Sequence, residues 1–383
     1  MRVVLGHSDH INAAAAMDAA LTQCEQQLAG EPPRAVLLAT SVEYDHAVLL
    51  QRVHARWPDA VCVGSTTDGE ISAKEGYHED SVLVVAFAGE DIEARTILGR
   101  GLSDDPDAAV ARAVAQLGDF APRLALLIVS PTSDANVVAR RMQEALGPDC
   151  LVVGGLSADH REFANYAEFH GEEVLRDTVV ALLIQGDFHA SCGVGSGWLP
   201  IGEAHLVTKS SGHIVQEIEG RPAIDVYRDY WGELPADSLG EFPIAVYPDG
   251  PDAAYYLRAS LGHDASGAIR FAGDVSEGAS VRITEVLPEG ILEGSAGAIV
   301  AAFGRYRGSR PELAFAFSCA ARKWVLGTQA AQDCDSLVDG LQRFGVPDLA
   351  LAGGYYFGEI AHASSEGGAR LHNESCVAVI LGA

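Results

Sequence analysis

Apolar and polar positions fall along this chain in a pattern that recurs three times. Pro-Asp, a four-residue apolar run and a pair of small residues follow one another at 58–65, 148–155 and 347–354. The run is too short for a buried helix and suits a strand covered on both faces. Upstream of each lies a helix-like segment, with Val48, Leu49, Val53 and Trp57 at mixed three and four spacing in the first. Before that comes another apolar run, at 35–39, 124–129 and 313–317. The repeating unit is therefore strand, helix, strand. Small residues where a strand stops let the backbone approach another group closely, so the strand ends are the expected ligand site. In the third copy roughly a dozen extra residues, around 320–334, separate strand from helix, an insertion expected to enlarge or cover a pocket.

Downstream, Asp68-Gly69-Glu70-Ile71 matches Phe357-Gly358-Glu359-Ile360 at the same offset from the small pair. Both then run to a polar knot ahead of a last strand, His78-Glu79-Asp80-Ser81 and His372-Asn373-Glu374-Ser375. The second copy diverges, carrying Leu156-Ser157-Ala158-Asp159-His160 in the loop and reaching its last strand at Asp177. Each matched Glu can equally be a turn residue accepting backbone hydrogen bonds, and each His a loop cap. Between the second and third copies, 188–215 alternates with glycines and reads as antiparallel strands with tight turns. A helix over 222–231, short strands near 244, 256 and 281, and a helix over 289–306 follow. The expected fold is α/β, with strand–helix–strand units forming two related mixed-sheet domains covered by helices, 1–215 holding two copies and 216–383 the third.

Composition narrows the function classes. A formal charge of −27 on 383 residues repels phosphate backbones, which argues against a nucleic-acid partner. No apolar run reaches membrane-spanning length and the first thirty or so residues lack a signal-peptide pattern, so a cytoplasmic protein without membrane association is expected. The seven cysteines stand singly, with no pair at zinc or redox spacing, and no metal site is expected.

Taken in order, the segments Gly-Ser-Thr-Thr-Asp-Gly-Glu-Ile (64–71), Gly-Gly-Leu-Ser-Ala-Asp (154–159), Glu-Gly-Arg-Pro-Ala-Ile-Asp-Val-Tyr (219–227), Phe-Ser-Cys (317–319), Gly-Tyr-Tyr-Phe-Gly-Glu-Ile-Ala (354–361) and His-Asn-Glu-Ser (372–375) resemble the FIST family over nearly the whole chain. That resemblance implies a sensory protein with an N-terminal and a C-terminal FIST domain, binding a small molecule for which amino acids are proposed. Some members resemble haem-binding nitric oxide sensors that regulate histidine kinases or cyclic-di-GMP enzymes. Since the chain ends just after its last strand, the signal is expected to pass to a separate partner. The motif residues carried over are Ser65, Thr66, Glu70, Gly155, Asp159, Cys319, Tyr356, Glu359 and His372. The match departs from the family at Ala320-Ala321-Arg322 and at Glu374.

Three functions stay open on the sequence. The first is small-ligand sensing without catalysis, in which Ser65, Thr66 and Ser157 supply donors and Asp68, Asp159, Glu70 and Glu359 hold an ammonium group, as a zwitterion requires. The second is haem binding, with His46, His78, His160, His362 and His372 nearest the loops. The third is a hydrolase using Cys319 with His372 as base.

Overall fold

The repeat read from the sequence is one unit of four core strands, two helices and a hairpin. A computed structural model describes residues 1–132, 134–233, 236–248, 250–251, 254–362 and 368–383. The first unit comprises β1 (Arg2–Ser8), α1 (Ala13–Leu28), β2 (Ala35–Thr40), α2 (His46–Arg56), β3 (Val61–Thr66), the hairpin β4 (Glu70–Ser72) and β5 (Gly76–His78), and β6 (Val82–Ala88). The second comprises β7 (Ile92–Arg100), α3 (Pro106–Val114), β8 (Leu124–Val129), α4 (Ala135–Leu146), β9 (Leu151–Leu156), the hairpin β10 (Glu168–His170) and β11 (Glu173–Leu175), and β12 (Thr178–Gly186).

The third unit opens with β13 (His189–Gly195) and is then interrupted by β14 (Leu199–Ser211), β15 (Ile214–Ile218), β16 (Arg221–Pro222), α5 (Ala223–Trp231), β17 (Ile244–Tyr247), β18 (Tyr256–Arg258), β19 (Ser260–His263), β20 (Ile269–Phe271) and β21 (Ser280–Glu285). It resumes with α6 (Pro288–Arg305), β22 (Pro311–Cys319), α7 (Ala320–Leu326), α8 (Ala331–Gln342), β23 (Ala350–Tyr356), the hairpin β24 (Glu359–His362) and β25 (Ala369–His372), and β26 (Cys376–Gly382). The division expected at 215/216 thus falls inside β15, and the third unit begins before it. Gly193 and Gly195 mark no turn. They let β13 lie on α6, where a Cβ would stand 2.3 Å from Ala302 N and 2.0 Å from Gly294 O.

Three mixed sheets follow one plan, with orders β1-β6-β2-β3-β10-β11, β7-β12-β8-β9-β24-β25 and β13-β26-β22-β23-β4-β5. Every hairpin has left its own unit and covers the outer parallel strand of another, in a closed cycle of three. An uncovered strand would expose unpaired backbone groups, and the exchange removes that edge. Alternate residues of all three sheets, among them Leu37, Val85, Leu126, Leu182, Phe315 and Val379, meet in one shared core. The opposite faces are covered by α1 and α2, by α3 and α4, and by α6 and α8. The interrupting segment forms a fourth, antiparallel sheet whose own core includes Val207, Tyr227 and Phe271.

The first small residue of each pair is explained by strand packing. A Cβ on Gly64, Gly154 or Gly353 would lie 2.0, 2.0 and 2.5 Å from the carbonyl oxygens of Leu38, Leu127 and Ala316. At the second, a Cβ on Gly155 would lie 2.5 Å from the Tyr356 ring. The close approach read from these glycines is thus to protein groups.

Candidate ligand-binding site

Register makes the three strand ends superposable residue by residue. Thr40 pairs with Thr66 and Val82, Val129 with Leu156 and Val179, and Ser318 with Tyr355 and Cys376. Ser41, Ser130 and Cys319 are therefore equivalent, as are Thr67, Ser157 and Tyr356, and Ser81, Thr178 and Ser375. The incoming hairpins obey the same rule, placing Glu70 opposite Gly354, Glu168 opposite Ser65 and Glu359 opposite Gly155. Strand alternation from the core residues Val63, Val153 and Ala352 turns Ser65, Gly155, Gly354 and the glutamates paired with them toward the shared interior. The result is a polar ring at one end of an apolar core.

Each glutamate is fully buried and reaches back to its own unit. Glu70 accepts hydrogen bonds from the hydroxyls of Thr67 and Ser81. Glu168 Oε2 accepts from Ser130 Oγ at 2.9 Å and Thr178 Oγ1 at 3.0 Å, and Glu359 Oε2 from Ser375 Oγ at 2.6 Å. Backbone bonds repeat the symmetry, since Ser41, Ser130 and Cys319 N–H donate to the carbonyls of Ser81, Thr178 and Ser375.

Burial in low dielectric disfavours the carboxylate form. It pushes Glu70 up to about 8, with Ser81 and Thr67 opposing, and pushes Glu168 up against the pull of nearby hydroxyls. Ser157 contributes to that pull although its Oγ falls outside hydrogen-bond geometry. Glu359 is driven well above the carboxylate range by burial, and neighbouring Glu374, itself at about 8, adds to the shift. Among the described residues, Ser65 Oγ, Glu168 Oε1, Glu359 Oε1, Asn373 Oδ1 and both Glu374 carboxyl oxygens are buried without a hydrogen-bond partner. Glu374 also holds a left-handed backbone, φ 57°, unusual for a side-chain-bearing residue.

The loops close over this ring. Lys323 Nζ, on α7, donates to Asp68 Oδ1 at 2.8 Å and Glu79 Oε1 at 2.9 Å, and Trp324 Nε1 donates to Asp68 Oδ2 at 2.7 Å. His160 Nδ1 lies 3.1 Å from Asp68 Oδ1, and that bond raises the imidazole to about 9. Burial lowers the Lys323 ammonium, but Asp68 outweighs it and the net shift is upward. Ligand atoms of Asp68, Glu79 and His160 come within 4.8 Å of one another, yet the ammonium already supplies the cation there. The insertion seen in the sequence is thus α7, which covers rather than enlarges. Its Arg322 is wholly buried, bonding Ser318 Oγ at 3.1 Å and Ile291 O at 2.8 Å and facing Asp333 at 3.4 Å.

Of the residues expected to bind ligand, Ser65, Glu70, Gly155, Ser157, Cys319, Tyr356 and Glu359 belong to the ring. The others hold its frame. Thr66 Oγ1 accepts from Ala167 N, and Asp159 clamps a loop by accepting from the backbone of Phe163, Ala164 and Asn165 at 2.7–2.8 Å. Asp68 anchors α7, and His372 pairs with Glu359 across β24 and β25 with Nε2 3.2 Å from Ala361 O. Sequence reading missed Glu168, Ser41, Ser130, Ser81, Thr178 and Ser375. Glu168 stands well beyond the five-residue offset from the small pair that Glu70 and Glu359 share, because the loop before it is longer in the second unit.

Neither the haem nor the hydrolase arrangement is well served by the residues expected for it. Haem needs a free axial nitrogen beside an apolar slot. His46, His78 and His372 point Nε2 at carbonyl oxygens, His160 is held by Asp68, and His362 Nε2 accepts from Val152 N. Burial, with Glu359 and Glu374 adding, pushes the Cys319 thiol far up, and burial holds His372 down at about 3. Among the described residues no hydrogen bond joins the two, and burial favours the thiol form of Cys319.

These features define a three-unit α/β protein with exchanged hairpins and a buried polar ring. The chain belongs to the FIST family: the FIST N domain matches residues 34–221 and the FIST C domain residues 223–362. FIST domains are associated with small-ligand sensing in signal transduction. The chain is 29% identical over 224 residues to an uncharacterized protein of Mycobacterium tuberculosis, covering 56% of this chain and 55% of that one. It is 27% identical over 214 residues to an uncharacterized protein of Methanocaldococcus jannaschii, covering 52% and 41%. The chain thus spans about half the length of these curated relatives. A solved structure described as "Cyanuric acid hydrolase: evolutionary innovation by structural concatenation" aligns over 100% of this chain and 99% of that one, with a TM-score of 0.34 and 11% identity, too slight a likeness to carry an assignment. Among the described residues no helix is long and apolar enough to cross a membrane.

Proposed function

We propose that this chain is a cytoplasmic small-ligand sensor, not a catalyst, that takes its ligand at the three-fold polar ring and signals through a separate protein such as a histidine kinase or cyclic-di-GMP enzyme. One observation carries the reading: repeat-equivalent carboxyl and hydroxyl sets turn toward the shared interior, and several of their buried oxygens lack partners. Each unmet acceptor costs about 1–3 kcal/mol, a penalty that a donor-bearing ligand would relieve. The unmet atoms are carboxyl, amide and hydroxyl oxygens, so the fitting ligand is a small polar one with N–H or O–H groups, and an ammonium group would favour the ionised form of the carboxyls it meets. Entry requires the Asp68–Lys323–Trp324 cap to open. A thermal-shift screen of amino acids and simple amines tests the idea. Stabilisation of about 2.7 kcal/mol is expected at a hundredfold excess over Kd. A melting temperature that no amino acid or amine moves would sink it. A Soret band after expression with added haem would instead favour the nitric oxide sensor.

A further inference from the structure

A cavity of about 340 Å³ lies outside the ring, where the loops of the second and third units meet the fourth sheet. Leu156, Phe163, Phe357, Leu371 and Phe271 form its apolar wall, and His213, Asp134 and Arg270 its polar part. The volume is within the range of small-molecule sites. It adjoins another cavity of about 500 Å³, the two sharing Leu261 and Arg270.

The charges around it are unevenly committed. Asp134 caps α4 by accepting from Asn136 N at 2.9 Å and also engages Asp274, while Asp264 is tied up by the backbone and hydroxyl of Ser266. Arg270 is different. Its cross-strand neighbours are Ile214 and Gly262, neither able to neutralise it, and among the described residues none forms a hydrogen bond or ion pair with its guanidinium. In a chain with 53 acidic residues against 26 lysines and arginines, an exposed arginine left unpaired beside an apolar wall selects for an anion.

The wall itself is set up to receive an apolar body. Phe163 is 53% exposed and stacks on Phe357 with centroids 4.3 Å apart and planes at 19°. It holds φ 52° on the loop that the Asp159 carboxylate clamps, so a large ring is kept half exposed against a backbone preference. We propose that this cavity binds an organic monocarboxylate with an aromatic or branched apolar body, its carboxylate on Arg270 and its body against Phe163 and Phe357. The site is separate from the polar ring and does not depend on what binds there.

Calorimetric titration of the full chain with phenylacetate, and with phenethylamine as the same body bearing the opposite charge, tests this. Phenylacetate should bind, and phenethylamine, whatever it does at the ring, should fail to displace it at about tenfold higher concentration. Arg270→Gln should weaken phenylacetate by about tenfold, Arg270→Lys by less, and Phe163→Ala should weaken it without restoring the amine. Arg270 and Phe163 are surface positions, and unchanged melting of the variants would show that they fold. Displacement of phenylacetate by an equal concentration of phenethylamine, phenylacetate affinity indifferent to Arg270→Gln, or no phenylacetate binding into the millimolar range would each overturn the proposal. So would hemin that binds with a Soret band and excludes phenylacetate, since the cavity would then belong to a tetrapyrrole.

Discussion

A buried carboxyl that receives only hydroxyl hydrogen bonds, or none, keeps its proton more tightly in the folded chain than in the unfolded one. Glu70 and Glu374 move from 4.5 to about 8 because burial penalises their charged form. Between those values the folded state binds protons that the unfolded state has released, so unfolding free energy falls as pH rises through this window and levels off above it. Glu70→Gln removes one of these groups while keeping its shape and most of its hydrogen bonding. Thermal melts from pH 5 to 8 should therefore show a shallower loss of stability in Glu70→Gln than in the wild type. Parallel curves would mean that Glu70 is ionised in the fold.

At the level of elements, α7 is tied to the first unit through Lys323 and Trp324, both of which meet Asp68. Asp68 is 1% exposed and Lys323 8%, and removing the ammonium leaves the buried Asp68 carboxylate with only Trp324 and His160 as partners. Lys323→Met should cost about 3 kcal/mol in urea denaturation, and adding Asp68→Asn should recover part of it, the bond to His160 being lost as well. A double variant no more stable than the single one would show that packing, and not charge, fixes the helix. Repeat strands, helices and the Glu70–Glu359 match were legible in the sequence because apolar period and Gly spacing are local signals. The hairpin exchange was not, since pairing β4 with β23 or β24 with β9 is a long-range choice that no local pattern encodes. The glycine pairs were legible as close approaches, but what approaches is a neighbouring strand or Tyr356, and that depends on register.

Across the whole molecule, the cycle of hairpins ties the two halves together. The matches to FIST N and FIST C divide the chain near residue 222, yet β4–β5 completes a sheet of the third unit and β24–β25 completes one of the second. Neither half retains all its strands alone, and the shared core draws on all three sheets. Far-ultraviolet dichroism and tryptophan fluorescence should accordingly report one unfolding transition at a common midpoint. Two well-separated midpoints would show that the halves fold independently in spite of the exchange.

The ring's role in binding is tested most directly by calorimetric titration at pH 7 with whichever amino acid or amine most raises the melting temperature. Wild-type chain and the Glu168→Gln, Glu359→Gln double variant should be compared side by side. One site per wild-type chain is expected, with affinity at least about tenfold weaker in the variant. Equal affinity in the two proteins would place the ligand elsewhere and contradict the account.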